Sequence, residues 1–201
     1  MSAGTLQFWF EFASTYSYLS VCRIEHVAAA AGVALEWKPF LLGPIFRGQG
    51  WNDSPFNIYP AKGRYMWHDM ERWCATYGIP LKRPTQFPRN GLLAARVACL
   101  VAAEPWCADF VRAVFRANFA EDREIADPAT ITAILAALGH TASALIERAQ
   151  SDENKERLRR QTEEAPALGI FGAPTFVADG ELFWGNDRLE DAVAWQLRRA
   201  Q

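Results

Sequence analysis

Two patterns of local structure meet in the stretch Phe8-Trp9-Phe10-Glu11-Phe12-Ala13-Ser14-Thr15-Tyr16-Ser17-Tyr18-Leu19. The stretch begins as an apolar run rich in aromatic side chains, which predicts a buried strand. After Ser14, a residue type that caps helices well, apolar residues recur at helical spacing, which predicts a helix. A helix start leaves backbone N–H groups without intrahelical partners, and such a corner attracts anions, a thiolate among them.

The spacing of Ser14 and Ser17 adds a second indication. A thioredoxin-like protein would carry its Cys-x-x-Cys pair at these two positions. Two hydroxyl groups cannot exchange disulfides, but they can donate hydrogen bonds to the sulfur of another molecule. The stretch alone is explained equally well by an ordinary Ser14 N-cap with Ser17 in the first helical turn.

Composition narrows the class of protein. The chain has 201 residues, 50% of them hydrophobic, and a formal net charge of -2. These values favour a globular protein with a sizeable core and give no sign of a nucleic-acid partner. No apolar run approaches the roughly 18 residues that a membrane helix needs, and the N-terminal pattern is not that of a secretory signal. We therefore expect a cytoplasmic protein that binds neither nucleic acid nor membrane.

Neither the cysteines nor the histidines form a recognisable site. The cysteines are Cys22, Cys74, Cys99 and Cys107. They include no Cys-x-x-Cys pair and lie in apolar, helical patterns, which predicts buried free thiols. The three histidines lack metal-ligand spacing, so we expect no metal site.

The order of patterns along the chain predicts how the elements are connected. Residues 16–31 carry helical periodicity up to Gly32, and residues 34–40 alternate like a second strand. A strand, a helix and a strand with short joints form a βαβ unit, so the two strands should be parallel neighbours. The glycines and prolines of residues 42–60 predict a long loop, a kind of segment that is often functional.

Helical patterns then dominate from residue 61 to about residue 168. Helix starts are predicted at Pro105 and at Asp127-Pro128, because proline suits the first helical position. Further helices are predicted to open near residues 141–143 and 152–153.

Residues 169–201 return to a strand pattern. A strand follows Ala173-Pro174-Thr175, the Asp179-Gly180 pair is typical of a hairpin turn, and residues 181–184 form a further strand before a last helix. Without the helical block the order is β-α-β and then β-β-α, the plan of a thioredoxin domain. We therefore predict an α/β fold in which residues 1–44 and 169–201 form a thioredoxin-like domain and residues 45–168 an inserted loop and a large all-helical domain.

In this plan the helix start at Ser14 faces the loop that contains Ala173-Pro174. We predict a cis Ala173–Pro174 bond, which would turn the N–H and C=O groups of Ala173 toward the cleft. There they can pair with the backbone of an extended peptide. The alternative is a trans bond in an ordinary turn.

Five segments resemble one known family, the 2-hydroxychromene-2-carboxylate isomerases, which are relatives of kappa-class glutathione transferases with a DsbA-like thioredoxin fold. The segments are Phe10-Glu11-Phe12-Ala13-Ser14-Thr15-Tyr16-Ser17-Tyr18-Leu19, Leu42-Gly43-Pro44-Ile45-Phe46-Arg47, Phe87-Pro88-Arg89-Asn90, Gly169-Ile170-Phe171-Gly172-Ala173-Pro174-Thr175-Phe176 and Phe183-Trp184-Gly185-Asn186-Asp187-Arg188-Leu189. The first and the last two are the most specific. The resemblance covers essentially the whole chain.

The resemblance implies glutathione as the cofactor. Ser14 would contact the glutathione sulfur, and Ala173 with Pro174 would hold its cysteinyl backbone. The γ-glutamyl end would be held by Trp184, Gly185, Asn186 and Asp187. Among these, Asp187 is suited to the ammonium group through a charge-assisted hydrogen bond. Relatives of this kind often form dimers, so the resemblance also implies a homodimer.

The resemblance places an aromatic carboxylate substrate near Arg47, Asn57 and Asn90. The chain departs from the family pattern at three positions: Thr15 replaces the usual proline, Glu11 the usual aspartate, and Arg47 a common lysine. An arginine grips a carboxylate with two hydrogen bonds where lysine offers a point charge, so Arg47 would influence substrate choice. A solvated loop charge is the other interpretation of Arg47.

The implied reaction is a glutathione-assisted isomerisation of 2-hydroxychromene-2-carboxylate, or of a similar conjugated aromatic keto acid, to trans-o-hydroxybenzylidenepyruvate. Two other functions stay open: a kappa-like glutathione transferase or peroxidase, and a non-catalytic module that binds thiols or peptides. Some aromatic residues are expected to cover the substrate pocket. The candidates are Trp51, Phe56, Tyr59, Tyr65 and Trp67.

Overall fold

A computed structural model describes residues 3–199, with side chains for residues 4–198. The strands are β1 (Ala3–Phe10), β2 (Val33–Pro39), β3 (Thr175–Ala178) and β4 (Glu181–Trp184). The helices are α1 (Thr15–Val21), α2 (Ile24–Ala30), α3 (Leu42–Gly48), α4 (Pro55–Ile58), α5 (Pro60–Tyr77), α6 (Leu92–Leu100), α7 (Cys107–Phe119), α8 (Pro128–Ala137), α9 (Ala142–Ala149), α10 (Asp152–Ala167) and α11 (Leu189–Arg199). A 3₁₀ turn (Asn186–Arg188) precedes α11.

The four strands form one mixed sheet in the order β2-β1-β3-β4. β1 pairs with β2 in parallel and with β3 in antiparallel orientation, and β3 and β4 form a hairpin. Helices α3 to α10 are inserted between β2 and β3. The predicted α/β thioredoxin-like fold with a helical insertion is therefore confirmed.

The aromatic run of β1 lies at the centre of the core because both faces of the sheet are covered. Phe8 packs at 5.4 Å from the ring of Trp37 on β2 and at 5.4 Å from that of Phe176 on β3. Trp9, which points to the opposite face, packs at 5.8 Å from the ring of Phe40. A strand that is buried on both sides carries apolar residues in succession, as this run does.

The prediction of one continuous helix over residues 16–31 is wrong, because the chain bends between α1 and α2. Cys22 ends α1, and Arg23 takes a non-helical conformation with φ -120°. The Arg23 guanidinium donates to Asn186 and pairs with Glu190, both far away in the sequence. Long-range contacts thus hold a bend that helical periodicity does not reveal. The bend also leaves Cys22 exposed, whereas the other three cysteines are buried free thiols as predicted.

The prediction of a long loop over residues 42–60 is also wrong, because this segment contains α3 and α4. Gly43 and Pro44 lie in the first turn of α3, where a proline needs no hydrogen bond from its nitrogen. Ser54 begins α4 by accepting a hydrogen bond from Phe56 N at 3.3 Å. The same residues that predict turns can therefore serve as helix starts.

Other local signals have mixed outcomes. Asp127 caps α8 with Pro128 at the first helical position, as predicted. Asp179 and Gly180 take φ values of 48° and 82° in the β3–β4 turn, as a hairpin of two residues requires. Pro105, by contrast, lies before the start of α7 at Cys107, so that prediction is wrong. None of the described helices is long and apolar enough to span a membrane.

Candidate active site

Ser14 lies where the first helix meets the loop before β3. It is the N-cap of α1, and its Oγ accepts a hydrogen bond from Ser17 N at 3.2 Å. The same hydroxyl donates to the carbonyl oxygen of Ala173 at 3.0 Å, across 159 positions of sequence. The Ala173–Pro174 bond is cis, which confirms the prediction. The hydroxyl therefore faces the loop that the sequence analysis placed opposite it.

The two serines of the Ser-x-x-Ser pair have different environments. Ser17 is fully buried, and its Oγ has no hydrogen-bond partner. Its backbone N–H supports Ser14, but its hydroxyl lies inside the protein. The side chain of Ser14 is therefore the one that a ligand at this corner can contact.

A cavity of about 890 Å³ opens beside Ser14. Its floor is formed by the turn that joins β1 to α1, including Glu11, Ala13 and Ser14. Segments from α3 and the residues after it form one wall, and residues 87–92 form another. The volume is in the range of pockets that bind small organic molecules.

The cavity brings together two of the three residues assigned to the substrate. Arg47 and Asn90 both line it. Asn57 does not, because its Nδ2 donates to the Asp53 carboxylate at 3.1 Å and to the Phe87 carbonyl at 3.3 Å. Since Asp53 and Phe87 are themselves wall residues, Asn57 holds the two walls together from outside the cavity.

The aromatic lining differs in part from the expected set. Trp51 and Phe56 line the cavity as anticipated. Tyr59 and Tyr65 are exposed outside it, and Trp67 is buried behind Phe87 with a ring distance of 5.1 Å. Sequence reasoning missed Phe46 and Phe87, although both lie in segments that carry the family resemblance.

The segment assigned to the γ-glutamyl end lies next to the cis-proline loop. Gly185 N donates to Pro174 O at 3.0 Å, and Gly185 has φ 112°, which favours glycine. A Cβ at this position would lie 2.5 Å from Asp187 Oδ1, so the glycine also makes room for that carboxylate. The Asp187 side chain is exposed and lies 3.5 Å from the Arg188 guanidinium. It is therefore accessible to a cationic ligand group.

The two remaining residues of that segment have contrasting positions. Trp184 is 54% exposed and packs against Phe171 at a ring distance of 4.8 Å. Asn186 is buried, and its Oδ1 accepts hydrogen bonds from Ser20 at 3.2 Å and from Arg23 at 3.1 Å. The side-chain oxygen of Asn186 thus attaches the 3₁₀ turn to α1. This attachment positions Asp187.

Glu11 is a further residue of the site that was not assigned from the sequence. Burial raises the pKa of its carboxyl group from 4.5 to about 8, against the smaller opposite effect of the hydrogen bond from Ala13 N at 3.0 Å. The group is therefore mostly neutral at pH 7. The signal available in the sequence was a carboxyl group inside an otherwise apolar run, directly after a strand.

This raised pKa predicts how stability depends on pH. Between about pH 5 and pH 8 the unfolded chain has lost the Glu11 proton while the folded protein keeps it. Raising the pH through this window should therefore lower the free energy of unfolding, by at most about 1.4 kcal/mol per pH unit. Denaturant titrations across the window, with Glu11→Gln as the comparison, measure the slope. Parallel profiles for the two proteins would contradict this prediction.

A buried arginine of the cavity lining supports the turn that forms the cavity floor. The Arg89 guanidinium is 4% exposed and pairs with Asp122. It also donates to Asn118 Oδ1 at 3.2 Å, and Asn118 Nδ2 donates to Phe12 O at 3.0 Å. The Thr85 N–H and Arg89 hold the pKa of Asp122 down at about 2. This network fixes the turn that carries Glu11 and Ser14.

Comparison with known proteins agrees with this architecture. The family model for a DSBA-like thioredoxin domain matches residues 5–194. A 2-hydroxychromene-2-carboxylate isomerase from Sphingobium xenophagum is 30% identical over 195 residues, with 96% of this chain and 98% of that protein covered. Human glutathione S-transferase kappa 1 is 27% identical over 203 residues, with 92% of this chain and 88% of that protein covered.

A solved structure is similar to this chain in its three-dimensional fold. The structure of a selenomethionine 2-hydroxychromene-2-carboxylate isomerase has a TM-score of 0.84 and 30% identity to this chain, with 98% of this chain and 97% of that chain covered. The similarity thus extends over nearly the whole of both chains. The chain belongs to the DSBA-like thioredoxin family and, within it, is an enzyme of the 2-hydroxychromene-2-carboxylate isomerase family.

Proposed function

We propose that the enzyme is a glutathione-dependent isomerase that interconverts 2-hydroxychromene-2-carboxylate, or a similar conjugated aromatic keto acid, and trans-o-hydroxybenzylidenepyruvate. The observation that carries the proposal is the Ser14 hydroxyl, which lies 3.0 Å from Ala173 O and beside a cavity of about 890 Å³. A thiol bound at this hydroxyl would lie next to a substrate in the cavity. The names of the relatives support the same reaction.

The residues around Ser14 fit a thiol-containing tripeptide. A serine hydroxyl has one proton, and here it is donated to Ala173 O. A backbone N–H of a bound tripeptide can replace it as the donor to that carbonyl, in the manner of an added strand. The Ser14 hydroxyl is then free to donate to a sulfur, while the exposed Asp187 carboxylate is available for an ammonium group.

The corner can lower the pKa of a bound thiol without a catalytic histidine. Moving the pKa from about 8.5 to about 6.5 takes about 2.7 kcal/mol. A hydrogen bond to a charged group contributes roughly 1.5–3 kcal/mol, and a helix start roughly 0.3–2 kcal/mol. Because α1 has only 7 residues, we assign most of the effect to Ser14. When bound, glutathione supplies a thiolate that adds reversibly to the conjugated carbon of the substrate.

The cavity supplies the binding and orientation of the substrate. Trp51, Phe56 and Phe87 offer apolar surface for an aromatic ring. Arg47, which is exposed on the α3 wall, would bind the substrate carboxylate with two hydrogen bonds. Since a lower thiol pKa also reduces nucleophilicity, most of the acceleration must come from orienting the substrate and from easier departure of the thiolate.

A direct assay tests the proposal. With 2-hydroxychromene-2-carboxylate and a catalytic amount of glutathione, we expect an absorbance change that reaches equilibrium while the free thiol concentration stays constant. Glutathione should also raise the melting temperature of the protein, because it binds the folded state. Absence of turnover together with absence of glutathione binding would contradict the proposal.

The second candidate function is a kappa-like glutathione transferase, which the similarity to human glutathione S-transferase kappa 1 favours. A transferase consumes glutathione, whereas the isomerase does not. Loss of free thiol with an electrophilic aromatic halide, in the absence of isomerisation, would therefore support the transferase.

Asp187→Asn is expected to raise the KM for glutathione by about tenfold and to leave kcat nearly unchanged. The change removes a charge-assisted hydrogen bond to the γ-glutamyl ammonium, and an exposed pair lies at the low end of the range of about 1.5–3 kcal/mol. Steady-state kinetics with varied glutathione measure the effect. Asp191→Asn, which changes an exposed carboxylate one helical turn away, is the matched control.

A further inference from the structure

Glu11 lies in the same turn as Ser14 and faces the same cavity. Its backbone carbonyl accepts a hydrogen bond from Ser14 N at 2.9 Å, and its Oε2 accepts one from Ala13 N at 3.0 Å. The carboxyl group is therefore held in place by the turn that also positions the serine hydroxyl. Both side chains form part of the cavity floor.

The second carboxyl oxygen is available to a ligand. Within residues 3–199 no hydrogen bond and no ion pair reaches Glu11 Oε1. A Cβ on Gly91 would lie 3.5 Å from this atom, and Gly91 is itself part of the cavity wall. Since Oε2 already accepts from Ala13 N, a neutral carboxyl group carries its proton on Oε1.

The other charged groups of the cavity are either paired with a neighbouring residue or lie on a different wall. Arg89 is paired with Asp122 and lies 3.4 Å from Glu124. Asp53 accepts from Asn57 and from the N–H of Ser54. Arg47 lies on the α3 wall. The pKa of Glu11 is raised by burial and lowered to a smaller extent by the Ala13 N–H, and no charged group in the described part of the chain contributes to the shift.

We propose that Glu11, in its neutral form, is a catalytic residue that donates a hydrogen bond from Oε1 to the keto oxygen of the conjugated keto-acid substrate. This inference rests on the proposed function and assigns a group that the reaction requires. The attacked carbon and the keto oxygen of such a substrate are only a few bonds apart. Ser14 and Glu11 lie on one turn, so Ser14 can donate to the sulfur and Glu11 to the oxygen of one adduct.

The electrons balance without a further reagent. Attack at the conjugated carbon forms one carbon–sulfur bond, moves the alkene electron pair toward the carbonyl carbon, and places negative charge on the keto oxygen. Glu11 stabilises this charge through its O–H and keeps its proton when the electrons return and the carbon–sulfur bond breaks. A preorganised donor of this type typically contributes about 100- to 1000-fold in rate. An ionised Glu11 would instead repel both the oxygen and the substrate carboxylate.

We expect the enzyme to lose activity at alkaline pH. As the pH rises through about 8, Glu11 ionises and the donor is lost. We propose to measure kcat/KM for the keto acid at saturating glutathione across pH 6–10 in the wild type and in Glu11→Gln. The glutamine keeps a donor but has no proton to lose in this range, so the ratio of wild type to variant should fall above about pH 8. The effects of substrate ionisation and thiol ionisation on kcat/KM are common to both proteins and cancel in this ratio.

Two further variants give the size of the effect. Glu11→Ala is expected to lose about 100-fold or more in kcat at pH 7, and Glu11→Gln roughly tenfold, because an amide is a weaker donor. Glu147→Gln, the same chemical change on the exposed surface of α9, is the control and should not change either parameter. Absorbance of the bound thiolate in each variant shows whether the thiol pKa has stayed constant.

A measurement on the wild-type protein does not depend on catalysis or on a folded variant. The infrared carbonyl stretch of a protonated carboxyl group should disappear as the pH rises through about 8, and binding of a saturated aromatic keto acid should shift it. A pH-independent activity ratio, or a carboxyl band that the keto acid does not shift, would overturn the role of Glu11. Absence of any glutathione-dependent turnover in the wild type would instead overturn the proposed function.

Discussion

Ser14→Ala is expected to lower kcat/KM for the glutathione-dependent reaction by tenfold or more at pH 7. The variant removes the hydroxyl that lies 3.0 Å from Ala173 O and faces the proposed sulfur position. Loss of a hydrogen bond worth about 1.5–3 kcal/mol to a charged group raises the pKa of the bound thiol by roughly one to two units. The effect on attack alone is only a few-fold, because a more basic thiolate is also more nucleophilic.

The remaining loss comes from two other steps. A more basic thiolate leaves more slowly, and a sulfur without its donor is less well oriented toward the cavity. The absorbance of the bound thiolate, titrated against pH in wild type and variant, separates the pKa effect from the loss of orientation. Near-normal turnover in Ser14→Ala would show that Ser14 is only a helix cap.

Ser17→Ala is the matched control for this experiment. It removes a hydroxyl of the same size three residues away, but one that is buried and has no hydrogen-bond partner. We expect unchanged kinetics and a gain in the free energy of unfolding of about 1 kcal/mol, because an unsatisfied buried hydroxyl is costly. A loss of activity similar to that of Ser14→Ala would indicate a disturbed helix start instead of a lost contact to sulfur.

Arg89→Leu is expected to have the largest effect on stability, with a loss of about 3–5 kcal/mol. The guanidinium is 4% exposed, and its removal leaves Asp122 with the more distant Lys82 Nζ, at 3.8 Å, as its cationic partner and Asn118 Oδ1 without a donor. Because Asn118 also donates to Phe12 O, the turn below the cavity loses part of its support. Denaturant unfolding at pH 7 measures the loss, provided that the slope with denaturant stays constant.

Arg89→Lys is the control that keeps the charge. Lysine cannot reproduce the planar fork that contacts Asp122 and Asn118 together, so we expect an intermediate loss of stability. A double-mutant cycle with Asp122→Ala then measures the coupling between the two residues. If Arg89→Leu is as stable as wild type, the network does not support the turn, and Glu11 and Ser14 must be held by the β1–α1 connection and the Ser14–Ala173 hydrogen bond.

Much of the site was predictable because the relevant signals are local. The aromatic run of β1 predicted a central strand, Ser14 predicted the helix start, and Asp179-Gly180 predicted the hairpin. These features depend on side-chain alternation, capping and turn conformations, each of which acts over a few residues. The position of Ala173 opposite Ser14 followed from the order of strands and helices, since a βαβ unit permits few topologies.

The residues that were misjudged have partners that are distant in the sequence. The break between α1 and α2 depends on the contact of Arg23 with Asn186, and the support of the cavity by Asn57 depends on Phe87. Glycine and proline in residues 42–60 gave a turn signal that could not be distinguished from the start of α3. Periodicity and propensity contain no information about contacts of this kind.

The sequence by itself determined the thioredoxin-like order of elements, the place of Ser14 at a helix start and the absence of a Cys-x-x-Cys pair. Only the tertiary structure decided that Ser17 is buried, that Asn57 lies behind the cavity wall, and that burial raises the pKa of Glu11. The physical reason is that capping and turn preferences act between neighbours in the chain. Burial of a hydroxyl or a carboxyl group depends instead on segments such as residues 87–92 that fold against it from far away.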